Sequence, residues 1–410
     1  MFFIYNLLIK FATALLPLLA LFNPKMKLFV EGRKQGWNKL EKHITPSDRV
    51  FWIHAASLGE YEQGLPLIEK LKEKFPNHKI VLTFFSPSGY EVKKDTTPAD
   101  VVLYLPMDTK SNVKRFLQLA HPEKAFFIKY EYWPNYLNGL KEKHIETYLI
   151  SGIFRSNQVF FKGYGGFYRK ALFAFTHFFV QNEKSEHLLH QLNHHNVTIV
   201  GDTRFDRVSQ ILERENNLDF LENFTSNKTI PTIVVGSSWQ EDESLLVDYI
   251  NNTPKNTKFV IAPHNIKETQ ITDLVSKLNV PTVLYSDHQN KNLNDYKVFI
   301  IDAYSLLTKA YSYADIAYVG GGFGAGIHNI LEAATFGVPV FIGPNYKKFQ
   351  EAKDLIALKG CFVVHNEKEL QTQFDYFLEH ETERQETAAI CSNFILKNKD
   401  ATDKIMKHLF

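Results

Sequence analysis

Cysteine is nearly absent: the 410-residue chain holds two, Cys361 and Cys391, in no CxxC arrangement. Two thiols in a chain of this size make no disulfide framework, so a reducing compartment is the simpler reading. Metal chemistry lacks its usual spacings as well. The 16 histidines form neither HExxH nor a Cys/His zinc pattern, so no metal site is expected and no cofactor is implied. No Gly-x-Ser-x-Gly elbow supports a hydrolase. Neither sign of charge is in excess, with 47 Lys and Arg against 45 Asp and Glu. That balance gives the chain as a whole no electrostatic footprint for nucleic acid. Repeats and low-complexity tracts are also missing. What remains, 44% hydrophobic and 22% charged residues, is a globular composition. The length suits two domains of roughly 150–200 residues each.

One long apolar run breaks this soluble profile. Phe2 to Phe22 reads FFIYNLLIKFATALLPLLALF, about 21 residues, enough to cross a hydrocarbon core of roughly 30 Å. Asn6, Lys10 and Pro17 weaken it, and no small-residue cleavage site closes it, which argues against a removed signal peptide. Lys25, Lys27, Arg33 and Lys34 follow as a basic flank that would hold the next domain on the cytoplasmic side. Residues 1–24 are therefore assigned to a membrane anchor that spans the bilayer; the alternative is an amphipathic helix lying on the membrane surface or packed on the domain.

From about Arg49, short apolar runs alternate with amphipathic stretches. VFWIH (50–54), KIVLTF (79–84), VVLYL (101–105), KAFFI (124–128), ETYLI (146–150), HFFV (177–180) and VTIV (197–200) form a first series. After a polar connector at 206–229, PTIVVG (231–236), KFVIAP (258–263), TVLY (282–285), KVFII (297–301), DIAYVG (315–320), VPVFIG (338–343) and CFVV (361–364) form a second. Each run has strand length and no clean polar alternation, as strands buried on both faces of a parallel sheet do. A helix is expected over 59–75, with Leu65, Ile68 and Leu71 on one side. Two βαβ series read as two doubly wound α/β halves facing across a cleft, with ligands beyond the carboxyl ends of the strands.

The loops at those ends carry the candidate chemistry. In YVGGGFGAGIHNILEAATFGVPVFIGPN (318–345) a strand is followed by Gly320, Gly321, Gly322, Gly324 and Gly326 and then by a helix expected over 328–336. Such a loop lets backbone amides approach a phosphate, or simply makes a tight strand-to-helix turn. His328, Asn329 and Glu332 favour the first reading: Glu332, one turn past Asn329, could accept both ribose hydroxyls of a nucleotide. In WIHAASLGEYEQG (52–64), Ser57 and Gly59 lead into a helix whose first turn holds Glu60. That carboxylate could be a general base toward an alcohol or merely complement the helix dipole. KYEYWPN (129–135) places Glu131 at another strand end, with Pro134 suited to a helix start. Arg204, in GDTRFD (201–206), could meet an anionic substrate or leaving phosphate. GSSWQEDE (236–243) and APHNIKE (262–268) open helices of the second half. There Ser237 and Ser238 could cap a helix or face a phosphate, beside Pro263 and His264.

Taken together, HAASLGE, TFFSPSGYE, YLPMD, YEYWPN, VGDTRFD and HNILEAATFGVPVFIGPN resemble, in order and over nearly the whole chain, the 3-deoxy-D-manno-octulosonic acid (Kdo) transferases. The resemblance implies a GT-B fold of two Rossmann-like domains, here 25–205 for the acceptor and 230–385 for the nucleotide sugar, with a C-terminal helix at 386–410 packing back toward the first. It implies an inverting, metal-independent transfer of Kdo from CMP-Kdo to the tetraacyl-disaccharide precursor of lipid A at the inner membrane. Glu60 falls on the proposed base, Glu131 on a supporting acidic residue, and Arg204 near the Kdo carboxylate or the phosphate. Ser57 and Gly59 would line the acceptor side. Ser237, Pro263, His264, His328, Asn329, Glu332 and the loop from Gly321 and Gly322 would hold CMP. Departures occur where many members read ETELWPN, since this chain has Lys129 in place of the first glutamate. Pro263-His264-Asn265 replaces Pro-Arg-His, Ser305-Leu306-Leu307 replaces Gly-Glu-Leu, and Arg155 stands in SGIFRS where others have Arg-Leu-Ser. Two other readings keep parts of this picture: a UDP-sugar-dependent GT-B transferase or epimerase, and a non-catalytic membrane-tethered sugar-lipid binding protein.

Overall fold

The computed structural model describes residues 2–410, the side chain of Lys25 apart. Met1 of the expected anchor and the Lys25 side chain of its basic flank lie outside the described residues. All fourteen apolar runs are strands: β1 (Arg49–Ala55), β2 (His78–Phe84), β3 (Val101–Tyr104), β4 (Lys124–Ile128), β5 (Glu146–Gly152), β6 (His177–Val180), β7 (Val197–Ile199), β8 (Thr232–Ser238), β9 (Lys258–Pro263), β10 (Thr282–Leu284), β11 (Val298–Ile300), β12 (Ile316–Val319), β13 (Val340–Ile342) and β14 (Cys361–Val363). They form two seven-stranded sheets. Every strand pair is parallel.

The first compact unit runs to Arg207 and includes Lys399–Phe410. Its strand order is β3-β2-β1-β4-β5-β6-β7, so the direction of winding reverses between β1 and β4. Alternate β1 residues face opposite core layers. Val50 and Trp52 pack with Phe116, Phe127 and Tyr136 on one side, and Phe51, Ile53 and Ala55 with Leu65, Ile68 and Leu71 on the other. Burial on both faces is why β1 shows no polar alternation. The C-terminal helix Ala401–Leu409 joins the second layer through Ile405 and Met406. Asp206 fixes its start by accepting from the Thr402 amide at 2.7 Å.

Three helices of this unit matter below: α1 (Phe2–Leu19), α2 (Pro24–His43) and α3 (Leu58–Lys74). α3 begins and ends within a residue of the expected span. Arg33 of α2 departs from the basic flank read in the sequence. Its guanidinium is buried, donating to the Leu105 and Phe85 carbonyls at 2.9 Å each and stacking 3.4 Å from the Phe29 ring centroid. Burial pulls its pKa down to about 9. This arginine fastens α2 over the ends of β2 and β3 rather than facing a lipid headgroup.

The second unit, Val208–Asn398, has strand order β10-β11-β9-β8-β12-β13-β14, with its reversal between β8 and β12. Ile233 and Val235 of β8, Phe259 of β9 and Tyr318 of β12 meet Leu246, Ile250 and Phe374 in its core. In doubly wound sheets the crevice where winding reverses, beyond the carboxyl ends of the strands, is where ligands bind. Each unit therefore has one preferred place for chemistry.

Candidate active site

In the first unit that place is the end of β1 and β4. After Ala55 the chain turns through an extended Ser57 and starts α3 at Leu58. Glu60 lies in the first turn, half-buried, and accepts the Ser57 hydroxyl hydrogen; Gly59 beside it is exposed. The loop after β2 is tied to this turn, since the amides of Phe85 and Ser86 both donate to the Ala56 carbonyl, at 3.2 and 2.7 Å. Gly89 has to lack a side chain there: a Cβ would stand 2.3 Å from Phe84 and 3.0 Å from the Ser57 backbone.

β4, the strand beside β1, is followed by Lys129, whose positive φ of 68° turns the chain sharply. Glu131 follows, ahead of a helix over Pro134–Glu142 that has proline in its first turn, as the sequence suggested. Two residues the sequence reading missed hold this carboxylate. His54, fully buried at the end of β1, places Nε2 3.1 Å from Glu131 Oε2 and Nδ1 2.9 Å from Thr83 Oγ1. Trp133 donates its indole N–H to the same Glu131 oxygen at 2.7 Å. The signal for both was present, since His54 closes a buried strand and Trp133 lies two residues past Glu131. Only the β1–β4 pairing brings them together.

Arg204 is not an open cation. Its Nε and Nη2 both donate to Asp202 Oδ2, at 2.9 and 2.7 Å, and Gln63 of α3 donates to Asp202 Oδ1 at 2.9 Å. Burial pushes the Asp202 pKa upward, but the Arg204 charge and hydrogen bonds outweigh it and hold the carboxylate below its usual range. The GDTRFD loop is thus fastened beneath the helix that carries Glu60. Any anion meeting Arg204 shares it with Asp202.

In the second unit the ends of β8, β9 and β12 converge. Ser237 adopts a positive φ of 53° where the β8–β9 register shifts, and Ser238 donates to Glu243 Oε1 at 3.0 Å. Neither serine caps the next helix, Gln240–Asn252; its N-cap is Trp239. Asp242 does the stitching, as a fully buried carboxylate that accepts from the Trp239 amide (3.0 Å), the Gly321 amide (2.8 Å) and the Tyr318 hydroxyl (2.8 Å). Sequence inspection passed over it because a first-turn aspartate on a helix is ordinary.

The glycine loop also differs from expectation. Its helix covers only Leu331–Thr335, so Asn329 precedes it rather than lying a turn before Glu332 within it. The loop closes on itself first: Gly324 and Gly326 donate to the Gly321 carbonyl, and His328 donates to Gly320. Those amides and that of Gly321 are occupied inside the protein. Among the described residues, the amides of Gly322, Phe323 and Ala325 have no partner. Gly322 is also forced by packing, since a Cβ there would lie 2.6 Å from the Gly343 backbone. Gly324 and Ala325 edge a basic recess of about 750 Å³ with Lys347, Lys348 and His365.

Glu332 is held at both oxygens, by the Asn329 amide at 3.0 Å and by Thr308 at 2.5 Å. Beside it an aromatic stack closes the β8–β9 edge. Trp239 lies 4.3 Å from His264 in parallel, and its indole N–H donates to His328 Nε2 at 2.9 Å. Pro263 ends β9 just before this stack. Burial, then the neighbouring His264, pulls the His328 pKa down to about 4, and burial lowers His264 too. At neutral pH both rings are uncharged.

A family model described as 3-deoxy-D-manno-octulosonic-acid transferase matches residues 31–207. Similar proteins include the 3-deoxy-D-manno-octulosonic acid transferase of Rickettsia bellii, 26% identical over 84% of this chain and 83% of that one. The one from Chlamydophila psittaci is 24% identical over 92% and 90%. The one from Aquifex aeolicus is 26% identical over 80% and 86%. The chain is thus similar to the Kdo transferases along most of its length. The part of the chain that the family model matches holds Ser57, Gly59, Glu60, Glu131 and Arg204. Solved structures place its architecture. UDP-GlcNAc 2-epimerase from Neisseria meningitidis superposes with a TM-score of 0.62 at 15% identity, covering 88% of this chain and 99% of that one. MurG from Acinetobacter baumannii gives 0.56 at 10%, covering 88% and 98%. Both likenesses are of fold, and the two parallel sheets are those of a GT-B protein.

Proposed function

We propose that the protein is a Kdo transferase that moves Kdo from CMP-Kdo to the tetraacyl-disaccharide precursor of lipid A, with inversion and without a metal. Glu60 takes the proton of the acceptor's primary hydroxyl as that oxygen attacks the anomeric carbon of Kdo. The bond from that carbon to the phosphate oxygen breaks, and CMP leaves with the electron pair. Its place in the first turn of α3, with Ser57 as hydrogen-bond partner, keeps the carboxylate fixed in direction while leaving it half-exposed to a substrate. Glu131, braced by His54 and Trp133, positions the acceptor sugar.

The second unit holds the nucleotide. Glu332 and Asn329 receive the ribose hydroxyls, Trp239 and His264 offer a flat uncharged surface suited to a base, and the Gly322 and Ala325 amides with Lys347 and Lys348 face the anionic groups. Donors aimed where charge grows on the leaving phosphate lower the barrier. The observation that carries the reading is that Glu60 and Glu131 follow β1 and β4, the adjacent strands between which the winding reverses in the unit that the family model matches. α1, long and apolar enough to meet a bilayer, keeps the catalytic units on the cytoplasmic side of the inner membrane. Membranes carrying the protein, given CMP-Kdo and the tetraacyl disaccharide, should release CMP and add the mass of Kdo to the lipid; absence of both rejects the proposal.

A further inference from the structure

α1 has two distinct long faces. Phe2, Tyr5, Asn6, Ile9, Thr13 and Leu16, spaced one helical turn apart, are partly buried along its whole length. Ile4, Leu7, Leu8, Phe11, Leu15 and Leu18 form the opposite stripe and are exposed. The first face is fastened to the unit by specific polar contacts. Tyr5 donates to Asp108 at 2.7 Å, and the Asn135 amide donates to Asn6 Oδ1 at 3.0 Å. The Tyr5 and Phe2 rings lie 5.3 and 5.7 Å from Phe167. Farther along, Thr13, Leu16 and Pro17 line a recess of about 350 Å³ with Trp37 and Met107. A helix flush with a folded unit along its length cannot cross a bilayer without drawing the unit's buried polar groups into hydrocarbon. It lies in the interface, its apolar stripe toward the acyl chains.

Tyr5 and Ile9 also form one wall of a cleft of about 600 Å³. Trp133, Phe160, Tyr168, Glu131 and Arg155 line it with them. The Arg155 guanidinium rests 5.4 Å from the Tyr130 ring centroid and, among the described residues, pairs with no carboxylate. The cleft therefore combines apolar side chains of the membrane-facing helix with Glu131 and with a guanidinium held by Tyr130 rather than by a carboxylate.

We infer that α1 is a wall of the lipid-acceptor site and not only an attachment: the cleft takes a phosphorylated, acylated sugar from the leaflet. The sugar lies toward Glu131, the phosphate on Arg155, and the first part of an acyl chain against Ile9. The inference rests on the Kdo-transfer reading for the identity of the acceptor, but not for the existence of the site.

The test uses the full chain on vesicles of neutral phospholipid and follows quenching of tryptophan fluorescence, Trp133 included, by a short-chain, monophosphorylated, diacylated glucosamine disaccharide. Ile9→Phe, which fills the cleft, should weaken binding by roughly tenfold, and Arg155→Gln should do the same for the phosphorylated ligand only. Leu8→Phe, one residue away on the exposed stripe, should leave binding as in wild type. All three should float with vesicles as wild type does. Unchanged binding in Ile9→Phe and Arg155→Gln overturns the site. Equal binding of a short-chain phosphatidic acid assigns the cleft to membrane lipid and overturns it too. Failure of the underlying reading looks different: wild type binds the glycolipid, the variants weaken it, and no Kdo is transferred from CMP-Kdo.

Discussion

The two units share one architecture and use it in opposite ways. The first unit gathers ionisable side chains held by polar partners, Glu60 with Ser57 and Glu131 with His54 and Trp133 at its winding reversal, and Arg204 with Asp202 after β7. At its own winding reversal the second unit gathers glycine backbone, a neutral aromatic stack and a carboxylate, Asp242, turned inward to hold backbone amides. A doubly wound sheet sets where ligands go, and the side chains after its strands set what happens there. The first arrangement can move a proton, whereas the second can only hold and polarise.

The sharpest way to break this contrast is to remove the proton acceptor. Glu60→Ala should lower single-turnover Kdo transfer by roughly 10²–10⁴-fold, the usual range for a general base. The CMP-induced rise in Tm should stay near that of wild type. Substantial turnover in the variant would leave Glu60 with its helix-dipole role alone. Next in size is the inward carboxylate of the second unit. Asp242→Ala strands a buried hydroxyl and two buried amides that it now satisfies, which should cost about 3 kcal/mol or more. Urea unfolding should show the loss, and CMP binding should go with it because the Gly321 turn is no longer fixed. A variant as stable as wild type would show that the glycine loop holds its own shape.

Glu332→Gln tests the binding half more gently. With Glu332 as the proposed acceptor of the ribose hydroxyls, its replacement should weaken CMP by about tenfold in calorimetry. Deoxycytidine monophosphate, which lacks the 2′-hydroxyl, should lose much less. Equal losses for the two nucleotides would move Glu332 away from the ribose. A larger response to UMP than to CMP in the same assay would turn the donor toward a uridine nucleotide.

Much of the fold was legible because burial on both faces leaves a mark: fourteen short runs without polar alternation, most of them ended by glycine, proline or a polar residue. The first-turn position of Glu60 and the proline start after Trp133 could be read from local spacing. What could not be read depends on pairing across the sheet. His54 becomes a partner of Glu131 only once β1 lies beside β4, and Arg33 reads as a flank charge until α2 is seen to press it over β2 and β3. The helix after the glycine loop came out shorter than expected because Gly321 and Gly326, at positive φ of 89° and 135°, first fold the loop onto itself. Asp242 left no sequence signal that separates a structural carboxylate from an ordinary first-turn one.

The smallest predicted effect sets one titrating group of each unit against the other. Asp108, buried under Tyr5, has its pKa raised to about 6, by burial first, against the opposing pull of its hydrogen bonds. A carboxylate raised on folding binds its proton more readily in the folded state, so its contribution to stability is greatest at low pH. That contribution is lost as pH rises from about 4 through about 6. His328 is the reverse case. Its pKa is lowered to about 4, so the unfolded chain binds the proton more readily, and stability is lost as pH falls from 6.5 toward 4. Unfolding free energy measured across that range should therefore respond to two variants in opposite senses. Asp108→Asn should gain relative to wild type as pH rises, by about 2 kcal/mol over the window. His328→Gln, which keeps an acceptor for the Trp239 N–H, should gain relative to wild type as pH falls, by about 1 kcal/mol once solvent screening of this half-exposed ring is allowed for. Differences of the same sign would mean that burial does not disfavour the charged form of both groups.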